Sequence, residues 1–286
     1  DGIRHFPNHG NVSAEISMNI LNRIKYPQTF NEKLNWLKLY YYNPTENTCI
    51  DKHTMKQWVK DKIGEEYVVP LIGVYYDVND IDFKNLPEKF VVKTPFDGGA
   101  LGVWIVKDKK KLNTDKLKYE INNSMQKWHS LYYRFLSRGY KEIEPKIIVE
   151  KYLEQPDEQL YDYKIFCFHG EPKFIEAIKD RKNGKFKASF YDTYWRRLDL
   201  HSGKKKDSLL KEPKNFEKML EIAKVLSSDF PFVRVDLYNV EEEIYVGEMS
   251  FTPASGFMKF SSVEFDYQAG EWLDLTRINP RYLKSN

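Results

Sequence analysis

The chain has 286 residues, with 45 basic and 42 acidic side chains and a net charge of +3. Hydrophobic residues make up 41% and aromatic residues 15%, enough to fill a sizeable core; that excludes a disordered chain, and the charge balance argues against a nucleic-acid partner. Two distant cysteines, Cys49 and Cys167, and apolar runs of only a few residues give no disulfide framework, no cysteine zinc site and no expected transmembrane or signal segment, so a cytoplasmic protein is expected.

The chain begins at Asp1 rather than Met, and it reads as a piece of something longer. Its first part is mostly helical. Ile16, Ile20, Leu21 and Ile24 share one helical face after a possible cap at Ser13. Leu34, Leu37 and Tyr41 form a second pattern that stops at Asn43-Pro44, and Met55, Trp58, Val59 and Ile63 a third that ends at Gly64. Two short extended pieces follow, 67-YVVP-70 and 71-LIGVYY-76. Strands 90-FVVK-93 and 103-VWIV-106 flank the glycine-rich 97-DGGALG-102 as a hairpin. A long helix carries Leu117, Ile121, Met125, Trp128, Leu131, Tyr132 and Phe135 on one stripe, and strand 147-IIVEKYL-153 closes this unit. The last part returns to strands at 163–169, 173–178, 187–192, 232–238 and 244–250, interrupted by a helix carrying Phe216, Met219, Leu220, Ala223 and Leu226. Tight turns between strands favour mixed α+β with antiparallel sheets.

The segment 232-FVRVDLYNVEEEIYVGEMS-250 carries the clearest chemistry. Period-2 alternation puts Phe232, Arg234, Asp236 and Tyr238 on one face. A turn centred on Glu242 would pair Asp236 with Glu248 and Arg234 with Ser250. Two adjacent carboxylates repel unless a cation neutralises them, and magnesium takes such oxygen ligands together with substrate phosphates. Arg234 adds a fixed fork for a phosphoryl group. The plainer alternative is an exposed sheet face with a surface ion pair.

Lys93 ends its strand four residues before the glycine loop, where backbone N–H groups and a lysine could cover phosphates in the manner of a kinase flap. No Walker A or dinucleotide fingerprint is present, and an ordinary hairpin turn is the alternative. Strand 147–153 breaks into the acidic stretch 154-EQPDEQLYD-162, which could meet adenine with its backbone and ribose with a carboxylate. Lys179, Asp180 and Arg181, at a strand end, could recognise an anionic substrate or be a solvated loop. Trp36 and Tyr40 to Tyr42 could stack on a sugar or pack in a core.

Taken together, the pieces resemble the ATP-grasp superfamily, and more closely its branch similar to TupA, named for teichuronopeptide synthesis. The carrying stretches are 31-NEKLNWLKLY-40, 51-DKHTMKQWVKDKIGEEYVVPLIGVY-75, 87-PEKFVVKT-94, 147-IIVEKYLE-154, 161-YDYKIFCFHGEPKFI-175, 230-FPFVRVDLYNV-240 and 247-GEMSFTPASGF-257. The resemblance implies an ATP-grasp fold: a mostly helical segment (1–86), a small lobe with the flap (87–153) and a large lobe with the metal hairpin (154–286), the nucleotide lying between antiparallel sheets. It implies ATP and Mg2+ as cofactors. Lys93 would contact the α- and β-phosphates under the flap of Gly98, Gly99, Ala100 and Gly102, and Glu150, Lys151, Tyr152 and Leu153 would form the adenine hinge. Asp162 would take the ribose, with Asp157 and Glu158 as rivals. Arg234 would stabilise the transferring phosphoryl group, Arg196 or Arg197 would sit at the γ-phosphate, and Asp236 and Glu248 would hold magnesium. Ser250 replaces the usual asparagine metal ligand, and Ala100 the frequent flap serine. Arg181, Ser255 and Gly256 are candidate substrate contacts.

The implied activity is an ATP-dependent carboxylate–amine ligase working through an acyl phosphate. Its carboxylate would be a sugar uronic acid, a nucleotide sugar or an amino acid, joined to a small amine in bacterial capsular or surface polysaccharide synthesis. The longer parent chain could carry a glycosyltransferase. A sugar or small-molecule kinase on the same fold, and a non-catalytic nucleotide-binding module, are the alternatives.

Overall fold

The computed structural model describes residues 23–95, 102–135, 143–154, 160–179, 187–201 and 210–284, and of residues 128–135 and 187 the backbone alone. Of the first expected helix only residues 23–25 fall among these, and they are helical. Helix α1 (Phe30–Tyr40) starts at a capping box: Thr29 accepts from the Glu32 amide, and Glu32 accepts from the Thr29 amide. It buries Phe30, Leu34 and Leu37. Asn43-Pro44 ends that helix as expected, but it also starts another. Asn43 caps the Thr45 amide at 3.0 Å, and Pro44 opens α2 (Pro44–Ile50), because a proline in the first turn loses no needed hydrogen bond. Helix α3 (Thr54–Ile63) stops at Gly64, whose φ of 118° suits glycine alone.

The smaller sheet contains β1 (Leu71–Tyr75), β2 (Phe90–Lys93), β3 (Val103–Val106) and β4 (Ile147–Lys151), in the antiparallel order β1-β4-β2-β3. The expected hairpin of β2 and β3 is present, with Phe90 opposite Val106 and Lys93 opposite Val103. Strand β1 comes from the N-terminal segment yet pairs with β4. Helix α4 (Thr114–Phe135) packs Leu117 and Ile121 against Phe90, Val92, Ile147 and Val149 on one face of this sheet. The opposite face carries Lys93 and Glu150.

The larger sheet contains β5 (Asp162–Phe168), β6 (Glu171–Lys179), β7 (Lys187–Asp192), β8 (Arg197–Leu198), β9 (Phe232–Val240) and β10 (Glu243–Ser250), in the antiparallel order β10-β9-β5-β6-β7-β8. Alternation sorts its two faces. Ile165, Val233, Val235 and Leu237 point to helix α5 (Phe216–Ser227), which supplies Phe216, Met219, Ala223 and Leu226. The other face is divided. One half is aromatic: Phe166, Phe168, Phe174 and Phe232 meet Phe30 of α1 and Trp272 of α6 (Val263–Trp272). The Phe30 and Phe232 rings meet edge-on at 4.9 Å, and Phe166 stacks on Phe174 at 4.2 Å. The other half of that face is charged.

Candidate functional site

The charged half is built from paired strands. Arg234 and Asp236 lie two apart on β9, so both point the same way. Lys164 of β5 stands opposite Asp236 on one side, and Glu248 of β10 opposite it on the other. Ser250 stands opposite Arg234. Both pairings are those read from the sequence, although the turn is not centred where expected. Its central residues are Glu241 and Glu242, with φ of 50° and 75°, and a bulge between Val246 and Glu248 supplies the missing offset.

Arg234 grips Asp236 with two parallel bonds, Nε to Oδ1 at 2.6 Å and Nη2 to Oδ2 at 2.7 Å. Its Nη2 also lies 3.6 Å from Glu248 Oε2. The Lys164 ammonium donates to Asp236 Oδ2 and lies 2.9 Å from Asp162 Oδ2. Lys52, from the turn before α3, reaches Glu248 Oε1 at 3.4 Å. Burial, with Asp162 and Glu248 beside it, pushes Asp236 upward against the pull of Arg234 and Lys164. Burial also opposes the charge of Glu248, but Lys52, Arg234 and Lys164 outweigh it and hold that carboxyl low.

A second cluster faces this one from the smaller sheet. Glu150 of β4 is 2% exposed and holds two lysines: Lys93 Nζ at 2.5 Å from one oxygen and Lys56 Nζ at 2.5 Å from the other. Lys56 also donates to the Val69 carbonyl at 2.8 Å. Burial works against the charge of Lys93, yet Glu150, then Tyr238 and Glu248, raise its pKa. Burial likewise disfavours the Glu150 anion, and the two lysines overcome that and lower it. Lys93 is thus a buried, fully protonated point charge.

The sequence-predicted residues are therefore partly assembled. Lys93, Glu150, Asp162, Arg234, Asp236, Glu248 and Ser250 line the two facing sheets. Glu150 contributes its side chain, a role not anticipated for a hinge residue. Lys151 is exposed, while Tyr152 and Leu153 are half-buried. Lys151 and Tyr152, with Pro70, Ile72, Pro87, Glu88, Lys89 and Glu154, line a cavity of ≈ 530 Å³ at the end of β4, and none of its walls belongs to the charged clusters. Asp162 is 2% exposed and engaged by Lys164. Arg196 is not brought in. It sits in the exposed turn after β7, bonded through Nε to Asp192 Oδ2 at 2.7 Å, with its guanidinium over the Tyr194 ring. The ladder Arg234–Phe166–Phe174–Asp192 puts that turn three strands away, about 14 Å at the usual spacing. Arg197 opens β8 beside it. Gly102 ends the flap at φ 65°, its carbonyl accepting from the Thr94 amide at 2.9 Å. Gly98, Gly99, Ala100, Asp157, Glu158, Asp180 and Arg181 lie outside the described residues. Ser255 and Gly256 lie in a turn just past β10.

Sequence reasoning assigned no role to Lys52, Lys56 or Lys164. Lys164 had a signal: it is the one charge inside the apolar run 163-YKIFCFH-169. Lys52 and Lys56 had a weaker one, a four-residue spacing at the start of α3.

Among the described residues no group of three or more His, Cys, Asp or Glu side chains is arranged to hold a metal ion. The donor chemistry nevertheless fits magnesium. Asp236 and Glu248 offer hard oxygens in cross-strand register, and they are neutralised by the ammonium groups of Lys52 and Lys164 and one guanidinium.

No curated protein matches the chain. Among solved structures it is similar to D-alanine–D-alanine ligase from Bacillus anthracis (16% identity, TM-score 0.44, covering 79% of this chain and 66% of that one). It is similar also to the same enzyme from Helicobacter pylori (18%, 0.46, 85% and 68%). A third is the ATP-grasp ligase PsnB in complex with a minimal precursor, Mg and ADP (10%, 0.40, 88% and 67%). The chain thus spans about two thirds of the length of these ligases. A family model described as TupA-like ATPgrasp matches residues 32–274. The chain belongs to the TupA-like ATP-grasp family.

Proposed function

We propose that the protein is an ATP-dependent carboxylate–amine ligase. Its carboxylate is a sugar uronic acid or an amino acid, and its setting is bacterial surface-polysaccharide synthesis. The observation that carries the reading is the Arg234–Asp236–Glu248 constellation on paired strands, facing Lys93 on the other sheet. ATP supplies the phosphoryl group that makes the carboxylate an acyl phosphate, from which an amine displaces phosphate.

The chain's own residues position and neutralise. Asp236 and Glu248 are the oxygen donors for Mg2+. Arg234, fixed by its two bonds to Asp236, presents its remaining donors to negative charge developing on the transferred group. Lys93, locked by Glu150, meets the phosphates as a fixed point charge. The aromatic half of the face and the smaller sheet close the site from two sides and keep water from the activated carboxylate.

The test is ADP release across a panel of carboxylates and amines, with mass detection of the amide. Release should need both partners and should fall at least about a hundredfold in an Asp236→Asn, Glu248→Gln double variant. Release with a hydroxyl acceptor and no amine would replace this reading with a kinase. Normal turnover by the double variant would overturn any enzymatic reading of the site.

A further inference from the structure

Glu150 has two lysines, and they are held differently. Lys93 Nζ lies 2.5 Å from one carboxylate oxygen and Lys56 Nζ 2.5 Å from the other, so each oxygen has an ammonium of its own. The side chains of both lysines are 10% exposed and that of Glu150 is 3% exposed. An ammonium has three donors. Lys56 uses two of them inside the fold, one on Glu150 and one on the Val69 carbonyl at 2.8 Å. Val69 lies just before Leu71, the cross-strand partner of Glu150, so this second tether belongs to the same corner of the sheet. Among the described residues Lys93 has no hydrogen-bond or ion-pair partner besides Glu150. The other groups that act on its charge, Tyr238 and Glu248, stand on the facing sheet.

Two cations on one buried carboxylate are one more than neutrality needs. The surplus matters when an anion arrives. A buried carboxylate that loses its only counter-ion is strongly destabilised, because nothing then offsets its lost hydration. With Lys93 as sole partner, Glu150 would hold that ammonium against any phosphate. With Lys56 tied to both Glu150 and Val69, the carboxylate keeps a cation whatever Lys93 does. Burial lowers the pKa of Lys56, and Glu150 opposes this through its charge and its hydrogen bond. Lys56 and Glu150 thus support each other's charge.

We propose that Lys56 is a positioning residue for the nucleotide: it keeps Glu150 neutralised, so that Lys93 can share its ammonium with a phosphate of ATP without leaving a buried carboxylate unpaired. Lys56 itself touches no phosphate. This rests on the nucleotide side of the ligase reading and is independent of the carboxylate and the amine.

The test is a double-mutant cycle on the full chain, read as the Kd for ATP with Mg2+ by calorimetry. Lys56→Gln removes the charge and keeps a donor for Val69. It should weaken binding about tenfold or more, because Lys93 is then the sole counter-ion of Glu150. In a Glu150→Gln background, where no anion needs neutralising, the same substitution should cost less than about twofold. Lys56→Arg, which keeps the charge, should hold the unaltered affinity. Lys56→Met should repeat the loss seen with Lys56→Gln, and its recovery by Glu150→Gln separates a missing counter-ion from a packing defect. Unaltered affinity in both Lys56→Gln and Lys56→Met overturns the proposal. So does a tenfold loss that persists in the Glu150→Gln background, since Lys56 would then meet the nucleotide itself or shape the site by packing. Absence of ATP binding by the unaltered protein overturns the nucleotide site and this role together. ATP binding without amide formation overturns the ligase reading alone, and the cycle still decides the role of Lys56.

Discussion

Asp236 and Glu248 face each other only because Gly247 carries a bulge. From the turn inward the ladder is regular, with Val240 opposite Glu243 and Leu237 opposite Val246. One extra residue then enters, and the next pair is Asp236 with Glu248. In an unbulged hairpin Glu248 would stand opposite Val235, inside the apolar core under α5.

Gly247→Ala tests that dependence. The new Cβ would lie 2.7 Å from Cε2 and 2.8 Å from Cζ of the Tyr238 ring, so the ring must move or the bulge flatten. Affinity for ATP with Mg2+, read by calorimetry, should fall about tenfold or more, as when a support behind a metal ligand is lost. Unchanged affinity would mean that the bulge does not place Glu248.

Lys164→Met leaves Asp162 and Asp236 buried without their shared ammonium. Removing one partner of a buried pair should cost about 3–5 kcal/mol near neutral pH. The pH dependence has a definite sign. With one cation fewer, the two buried carboxyls, Asp236 still gripped by Arg234, have folded pKa values raised relative to the unaltered protein, so the penalty is smallest at low pH and grows as pH rises. The melting-temperature deficit of the variant should therefore be larger at pH 8 than at pH 5. An equal deficit at both would show that the two carboxyls do not depend on Lys164.

Glu46 provides a second pH test, away from the site. Burial in the first turn of α2, only partly offset by Lys284, raises its carboxyl from 4.5 to about 8. Between those values the unfolded chain has released a proton that the folded chain keeps, so Glu46 makes stability fall as pH rises through that window. Glu46→Gln should flatten the decline, gaining melting temperature over the unaltered protein at pH 8 and little at pH 5. Parallel melting curves would contradict it.

Gly270 permits the contact of α6 with the start of α1. A Cβ there would lie 2.1 Å from the Gln28 carbonyl oxygen and 2.9 Å from the Thr29 carbonyl carbon. Neither backbone atom can rotate aside, so Gly270→Ala should cost at least about 2 kcal/mol by denaturant unfolding, despite its better helix propensity. A stability gain would mean that the helices separate freely.

How much of this was legible beforehand depends on distance along the chain. Alternation within 232–250 was enough to bring Arg234, Asp236 and Glu248 together, because a hairpin is local and its faces follow from period 2. The bulge was not legible: pairing 236 with 248 was reached by centring the turn on Glu242, whereas the real turn is Glu241-Glu242 and Gly247 restores the offset. The lysine partners were missed because they come from elsewhere: Lys52 and Lys56 meet Glu248 and Glu150 only after the N-terminal segment docks on both sheets. The γ-phosphate role of Arg196 or Arg197 rests on the resemblance alone, and nothing local shows that β5 and β6 lie between β9 and the strand that Arg196 follows.

Residues 51–75 touch everything that matters. Lys52 meets one sheet, Lys56 the other, Val68 bridges to Val246, and β1 completes the smaller sheet. During synthesis this strap emerges early, yet the partner of Leu71 is Glu150, about 80 residues later, and that of Val68 later still. Until then β1 is an unpaired edge whose Leu71 and Ile72 stay partly exposed even in the finished fold. The nascent chain is most open to aggregation in that interval, and a fragment beginning at residue 87 would lack Lys52 and Lys56, so both charged clusters are complete only when the two parts of the chain are joined.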